Sequence, residues 1–202
     1  MPEVTSPTRR QELLAIAARL FAERGFKNTT VRDIADAAGI LSGSLYHHFD
    51  SKEAMVDELL DSFQQELWRE YDAIEASDRT PREKLEAVVR ISFEAIHHHH
   101  SEVAIFQTDA AHLATFDRFA YLEERNVRFR TLWTGLLTAG VASGELRPDL
   151  NVELVYRFLR DTVWVAVRWY RPDGDLSPDQ VADQYLHILL DGIATTEGPR
   201  DA

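Results

Sequence analysis

The sequence predicts an all-α protein of about nine helices, and three observations carry that expectation. Apolar residues recur at spacings of three and four along nearly the whole chain, whereas no run alternates with the period of two that a half-buried strand needs. The breaks in this pattern fall at residues that start or stop helices: Gly25, Gly39, the Thr80-Pro81 pair, and A-S-G-E-L-R-P-D from Ala142 to Asp149. The length of 202 residues suits a small N-terminal module plus one further helical core, and no internal repeat is visible.

Leu13, Ile16, Ala17, Leu20 and Phe21 mark a first helix that Gly25 stops. Thr29 or Thr30 caps a short second helix with Val31, Ile34, Ala35 and Ala38 on its apolar face. Gly39 permits the left-handed backbone that ends this helix, and a third restarts at Ser42 after a turn too short for anything but a steep crossing. Ala35 and Ala38 are small enough for that third helix to cross closely, with Leu45 and Phe49 beneath it. The pattern is a helix-turn-helix with the first helix packed across it. Asp50 or Ser51 caps a fourth helix whose stripe of Met55, Leu59, Phe63 and Leu67 runs past the module, which makes it the expected lever to the rest of the chain.

Thr80 and Pro81 open a fifth helix carrying Leu85, Val88, Val89, Ser92, Phe93 and Ile96 on one face. A sixth starts near Ser101 or Glu102, and a long seventh spans about Phe116 to Val141 around Phe129, Leu132, Trp133, Leu136 and Leu137. Asn151 to Tyr170 and Pro178 to Ile193 supply the last two. The expected division is residues 1–53 as the helix-turn-helix domain and 54–202 as a ligand-binding and dimerisation domain.

Composition narrows the function classes. The absence of cysteine excludes a disulfide framework and thiolate metal sites, and suits a reducing cytoplasm. No segment approaches the length of a membrane span and the N-terminus lacks an apolar leader, so a soluble, cytoplasmic protein without a membrane partner is expected. A formal net charge of −12 at first argues against nucleic acid. The distribution removes the objection: residues 1–53 carry 7 basic and 7 acidic side chains, so the entire deficit lies in the rest of the chain. An acidic body repelled by DNA confines contact to the module.

The outer face of the third helix offers Ser42, Gly43, Ser44, Tyr46, His47 and His48, polar and compact groups that suit a helix lying in the DNA major groove. The stretch Thr29 to Lys52, T-T-V-R-D-I-A-D-A-A-G-I-L-S-G-S-L-Y-H-H-F-D-S-K, resembles the DNA-binding module of TetR-family transcriptional repressors. Thr30, Arg32, Ile34, Ala35, Ala38, Gly39, Ser42, Gly43, Ser44, Leu45, Tyr46, His48, Phe49, Ser51, Lys52 and Glu53 all stand at positions of that family's signature. The resemblance implies that Thr30, Tyr46, His47 and Lys52 contact phosphates, which set register, while Arg32, Ser42, Gly43 and Ser44 sit where base edges are read. For Tyr46, packing with an internally bonded hydroxyl is the alternative. It also implies a homodimer formed by the last two helices, with Val181, Tyr185, Ile188, Leu189 and Ile193 available on the final one. Such a dimer requires double-stranded operator DNA of two-fold symmetry, with half-sites roughly 34 to 36 Å apart or a multiple of that.

Outside the module, Arg157, Arg160, Trp164, Arg168 and Arg171 step by three and four along one helical face. Guanidinium forks match phosphate and carboxylate oxygens and an indole stacks on flat rings, so the stripe suits an anionic, ring-bearing effector such as an acyl-coenzyme A thioester, with no other cofactor implied. The alternative is that these arginines pair with Asp161 or with acids on neighbouring helices, or lie in the dimer seam. The block V-Y-R-F-L-R-D-T-V-W-V-A-V-R-W-Y-R-P is similar to a TetR branch that controls bacterial cholesterol-ring catabolism and responds to such a thioester. That resemblance implies Arg160 and Trp164 at the coenzyme A end, while Phe93, Phe106, Phe129 and Trp133 are candidates either for an apolar ring pocket or for plain core. A fatty acyl thioester or another hydrophobic ligand meets the same chemical demands.

One rival comes from Glu94-x-x-His97 and Asp109-x-x-His112, each a carboxylate and an imidazole one helical turn apart, as in di-metal helical bundles. The pairs lie only 15 residues apart and lack partnering glutamates, and His97 to His100 reads better as a helix end. No nucleophilic serine motif or glycine-rich phosphate loop is present, so an enzyme is not expected.

Overall fold

The computed structural model describes residues 8–191, and these contain nine α-helices and no strand. They are α1 (Arg9–Arg24), α2 (Val31–Ala37), α3 (Ser42–Leu45), α4 (Lys52–Glu75), α5 (Pro81–His98), α6 (His100–Leu113), α7 (Tyr121–Ser143), α8 (Val152–Trp164) and α9 (Pro178–Asp191). Ile193, an expected dimer contact, lies outside the described residues.

Local chemistry accounts for the boundaries. Thr8, Thr30 and Thr80 each accept from the backbone N–H three residues on, while Gln11, Asp33 and Glu83 reach back to the cap, so α1, α2 and α5 open on reciprocal capping boxes. Thr30 is therefore the cap of α2. Thr29 is buried, its hydroxyl donating to the carbonyls of Leu20 and Gly25. Gly25, Gly39 and Gly144 adopt positive φ where α1, α2 and α7 end. His99 both closes α5 and opens α6, so the histidine run is a helix junction.

Three boundaries differ from expectation. α3 makes a single α-helical turn before its last backbone bonds tighten into turns through Phe49. Phe116 stands before α7, separated from it by a 3-10 turn at Asp117–Phe119. Most consequentially, α8 stops at Trp164 and continues as a 3-10 turn, Val165–Arg168, which buries Ala166 and Val167.

Two apolar clusters organise the molecule. One unites α1 to α3 with the start of α4 and with Ile105, Leu113, Phe119 and Leu122, so the N-terminal module buries part of α6 and the segment after it. The other runs from Phe63 to Ile74 of α4 through α5, α7, α8 and α9. α4 thus serves both cores. α5 is central, and within it Ser92 exchanges a buried 2.7 Å hydrogen bond with Tyr71, whose own hydroxyl burial drives far above the usual range.

Candidate functional site

The tip of the module matches the expected shape. Leu45 and Phe49 are buried, whereas Tyr46 is 55% exposed and its hydroxyl has no hydrogen-bond partner among the described residues, which argues against packing as its role. Gly43, His47 and His48 are exposed, and Ser42 and Ser44 are half-buried beside them. Arg32 projects from α2 with only a 3.7 Å contact to Asp36. Leu41, at the start of α3, is 80% exposed, an unusual placement for a leucine. Sequence patterning alone passed over it, because a single apolar residue between Ile40 and Ser42 reads as core.

Lys52 is occupied differently from the expectation of a phosphate contact. Its ammonium donates to the carbonyls of Phe26 (2.8 Å) and Thr29 (3.1 Å) and lies 4.1 Å from the centre of the Phe26 ring. It clamps the loop between α1 and α2 onto α4. The opposite side of that loop is held by Asp109 of α6, whose buried carboxylate accepts from the Phe26 N–H at 3.0 Å, while His112 packs near Phe26 and Phe116.

This geometry also disposes of the di-metal arrangement. Asp109 and His112 serve the loop contact, whereas His97 bonds the Tyr170 hydroxyl at 2.8 Å and Glu94 faces His98. Among the described residues no group of three or more histidines and carboxylates is placed to hold a metal ion.

A cavity of about 610 Å³ opens among α4, α6, α7 and α8. α5 contributes no wall to it, since its apolar face is consumed by core packing. The wall is aromatic, with Phe63 and Trp68 from α4, Phe106 from α6, Phe129 from α7, and Tyr156 and Trp164 from α8. Arg125, Arg130, Arg157 and Arg160 supply its positive charge.

The expected ligand set therefore divides. Arg157, Arg160, Trp164, Phe106 and Phe129 line this cavity, while Phe93 and Trp133 are core residues. Phe93 packs against Tyr185, and Trp133 stacks behind Phe129 with its ring centre 5.4 Å away. Arg168 leaves the cavity because the 3-10 turn after Trp164 rotates it away.

The arginines are both paired and cavity-lining. Arg130 donates to Glu153 at 2.8 Å, Arg157 approaches the same carboxylate at 3.6 Å, and Arg160 Nε donates to Asp161 at 2.7 Å. Hydrogen bonds from Arg130 and Arg160 hold the Glu153 and Asp161 carboxyls below their ordinary range. Trp164 is 7% exposed, and its Nε1–H donor has no hydrogen-bond partner among the described residues.

Residues 13–59 match the family of bacterial regulatory proteins of the tetR type, and residues 78–193 match the tetracyclin repressor-like C-terminal domain. The chain belongs to the TetR family, a class of DNA-binding transcriptional repressors and not of enzymes. Within that class it is similar to the transcriptional repressor KstR2 of Rhodococcus jostii, at 62% identity over 187 residues covering 93% of this chain and 92% of that one. The solved structure of the ketosteroid transcriptional regulator KstR2 of Mycobacterium tuberculosis superposes with a TM-score of 0.89 at 55% identity, covering 95% of this chain and 97% of that one. AibR, solved with isovaleryl coenzyme A and operator DNA, shares the fold at a TM-score of 0.78 and 24% identity, over 91% of this chain and 98% of that one.

Proposed function

We propose that the protein is a homodimeric, cytoplasmic repressor of genes for steroid-ring catabolism, released from its operator by an acyl-coenzyme A thioester derived from steroid degradation. Likeness to KstR2 over nearly the whole chain supports the regulated process. The observation that carries the effector is the aromatic wall of the cavity, with Phe129, Tyr156 and Trp164 flanked by Arg157 and Arg160. Aromatic faces stack on fused rings, and guanidinium N–H groups donate to phosphate or carboxylate oxygens. AibR at its distance carries the fold alone, so this reading rests on the chemistry of the cavity.

Thr30, Arg32, Ser42, Gly43, Ser44, Tyr46 and His47 form the DNA surface in this reading, with Leu41 added beside them. Lys52 acts through the loop it clamps, and its third ammonium proton remains available to a phosphate. Exposed Leu154 and Phe158 on α8 and Ile188 on α9 supply an apolar face for the dimer.

The cavity wall and the module share two helices. α4 lends Phe63 and Trp68 to the cavity and its N-terminus to the module, while α6 lends Phe106 to the cavity and Asp109 to the loop after α1. A ligand that binds one spacing of α4 and α6 more tightly shifts the reading heads with it, and a coupling of about 1–3 kcal/mol is ordinary for such a switch.

Fluorescence anisotropy on a labelled operator, titrated with steroid-derived and fatty acyl-coenzyme A thioesters, tests the proposal. Salt-sensitive binding reversed by the steroid-derived class supports it. Reversal by fatty acyl thioesters alone reassigns the effector, and binding that no thioester reverses removes it.

A further inference from the structure

The 3-10 turn after α8 creates a second polar feature. In an unbroken helix Arg160, Trp164, Arg168 and Arg171 would share a face; each 3-10 residue advances about 120° instead of 100°, so four of them re-aim the chain by roughly 80°. Arg168 and Arg171 instead line a separate cleft of about 590 Å³, bounded by α6 and by Arg19 of α1. The cleft thus has walls from both the body and the DNA-binding module.

Its electrostatics are unusual for this chain. Among the described residues most arginines lie within 4.0 Å of a carboxylate; Arg19, Arg69, Arg79, Arg168 and Arg171 do not, and three of these line this one cleft. Glu23 is the only carboxylate in the lining, and it pairs with none of them. In a protein of net charge −12, acidic partners are abundant, so three guanidinium groups lining one cleft with no carboxylate within 4.0 Å make a local positive field that attracts an anion. The hydroxyls of Ser101 and Thr108 add neutral donors.

We propose that this cleft binds a small phosphate-bearing anion between Arg168 and Arg171 of the body and Arg19 of α1. Three planar forks and two hydroxyls match the several oxygens of a phosphate ester or diphosphate, and the volume falls in the range of small-molecule sites. Gln107 lines both this cleft and the aromatic cavity, on adjacent faces of α6. Two sources share the chemistry: the nucleotide end of a coenzyme A thioester whose acyl end occupies the cavity, which rests on the effector reading above, or a free phosphate ester, which does not. Either one bridges the body to α1, so occupancy biases the position of the reading head.

Isothermal titration calorimetry with adenosine 3′,5′-bisphosphate and with inorganic pyrophosphate, neither bearing an acyl group, addresses the cleft directly. Saturable binding to the wild type that weakens about tenfold or more in the Arg168→Gln/Arg171→Gln variant is expected, with helical circular dichroism and anion-free operator binding unchanged. Bisphosphate binding at least about tenfold tighter than pyrophosphate identifies the nucleotide source, and comparable affinities identify a free phosphate. Absence of saturable binding by about 1 mM, or binding indifferent to the double substitution, overturns the site. An Arg19→Gln variant that binds both probes like the wild type overturns the bridge to α1. Trp164→Phe should leave both probes bound, so failure of the effector reading stays distinguishable from failure of this one.

Discussion

Substitution of Trp164 separates the proposed ligand contact from folding. Replacing it with phenylalanine keeps an aromatic wall and removes a buried donor that has no partner among the described residues. Thermal or denaturant unfolding should show stability unchanged or raised by about 1 kcal/mol, while the thioester concentration needed to release DNA should rise about 3- to 10-fold as the cavity loses the wider indole face. A loss of operator affinity in the absence of ligand would make Trp164 structural. Leu41 tests the opposite end of the molecule. Because its side chain is largely exposed, Leu41→Ala should move stability by less than about 0.5 kcal/mol. If Leu41 covers a thymine methyl, replacing that thymine with deoxyuracil in the operator should weaken the wild type and leave Leu41→Ala indifferent in a binding titration.

At the scale of elements, the loop from Gly25 to Thr30 is where module and body meet, gripped by Lys52 from α4 and Asp109 from α6. Asp109→Ala leaves the Phe26 N–H buried and unpaired, and should cost about 1–3 kcal/mol in urea unfolding. Asp109→Asn retains an acceptor oxygen and should recover most of it. In the Asn variant, thioester-driven release should persist, whereas the Ala variant should bind operator with weakened response to ligand. The α2 capping box gives a pH prediction. The Thr30 hydroxyl and N–H bond Asp33 and depress its carboxyl below the ordinary range. A depressed folded-state value means the contribution is present above the unfolded carboxylate value, near pH 4, and is lost as pH falls through the folded one. Stability measured for wild type and Asp33→Asn should therefore differ at pH 7 and converge at lower pH.

For the whole molecule, the segregation of charge and the exposed apolar face on α8 and α9 make testable demands on assembly. Phe158, 61% exposed in the single chain, should be buried in the proposed dimer. Phe158→Asp should shift sedimentation from dimer toward monomer with circular dichroism retained, and should reduce operator affinity strongly because two half-sites are no longer bound as one unit. If Phe158→Asp remains dimeric, the interface lies elsewhere.

The helices, their caps, the helix-turn-helix and its exposed tip were legible in the sequence because they depend on residues within a few positions of one another. A threonine cap at Thr29 or Thr30, Gly39 in the left-handed region, and Leu45 and Phe49 under Tyr46 follow from local spacing, and the structure selects Thr30 as the cap. What required the tertiary structure was the fate of groups that satisfy distant partners. Asp109 and His112 share the spacing of a metal motif, yet they meet a loop 83 residues away from Asp109 in the chain. Phe93 and Phe129 carry the same helical periodicity, but neighbouring helices cover the first and leave the second on the cavity. The arginine stripe looked continuous because periodicity assumes 3.6 residues per turn throughout; the 3-10 turn at Val165–Arg168, with Ala166 and Val167 buried, divides the stripe between two cavities. Sequence alone determined that the chain is all-helical with a helix-turn-helix near its N-terminus, since local dihedral and capping preferences are short-ranged. Only the packing of α4, α6, α7 and α8 decided which side chains face a cavity, because that depends on which surfaces are buried first.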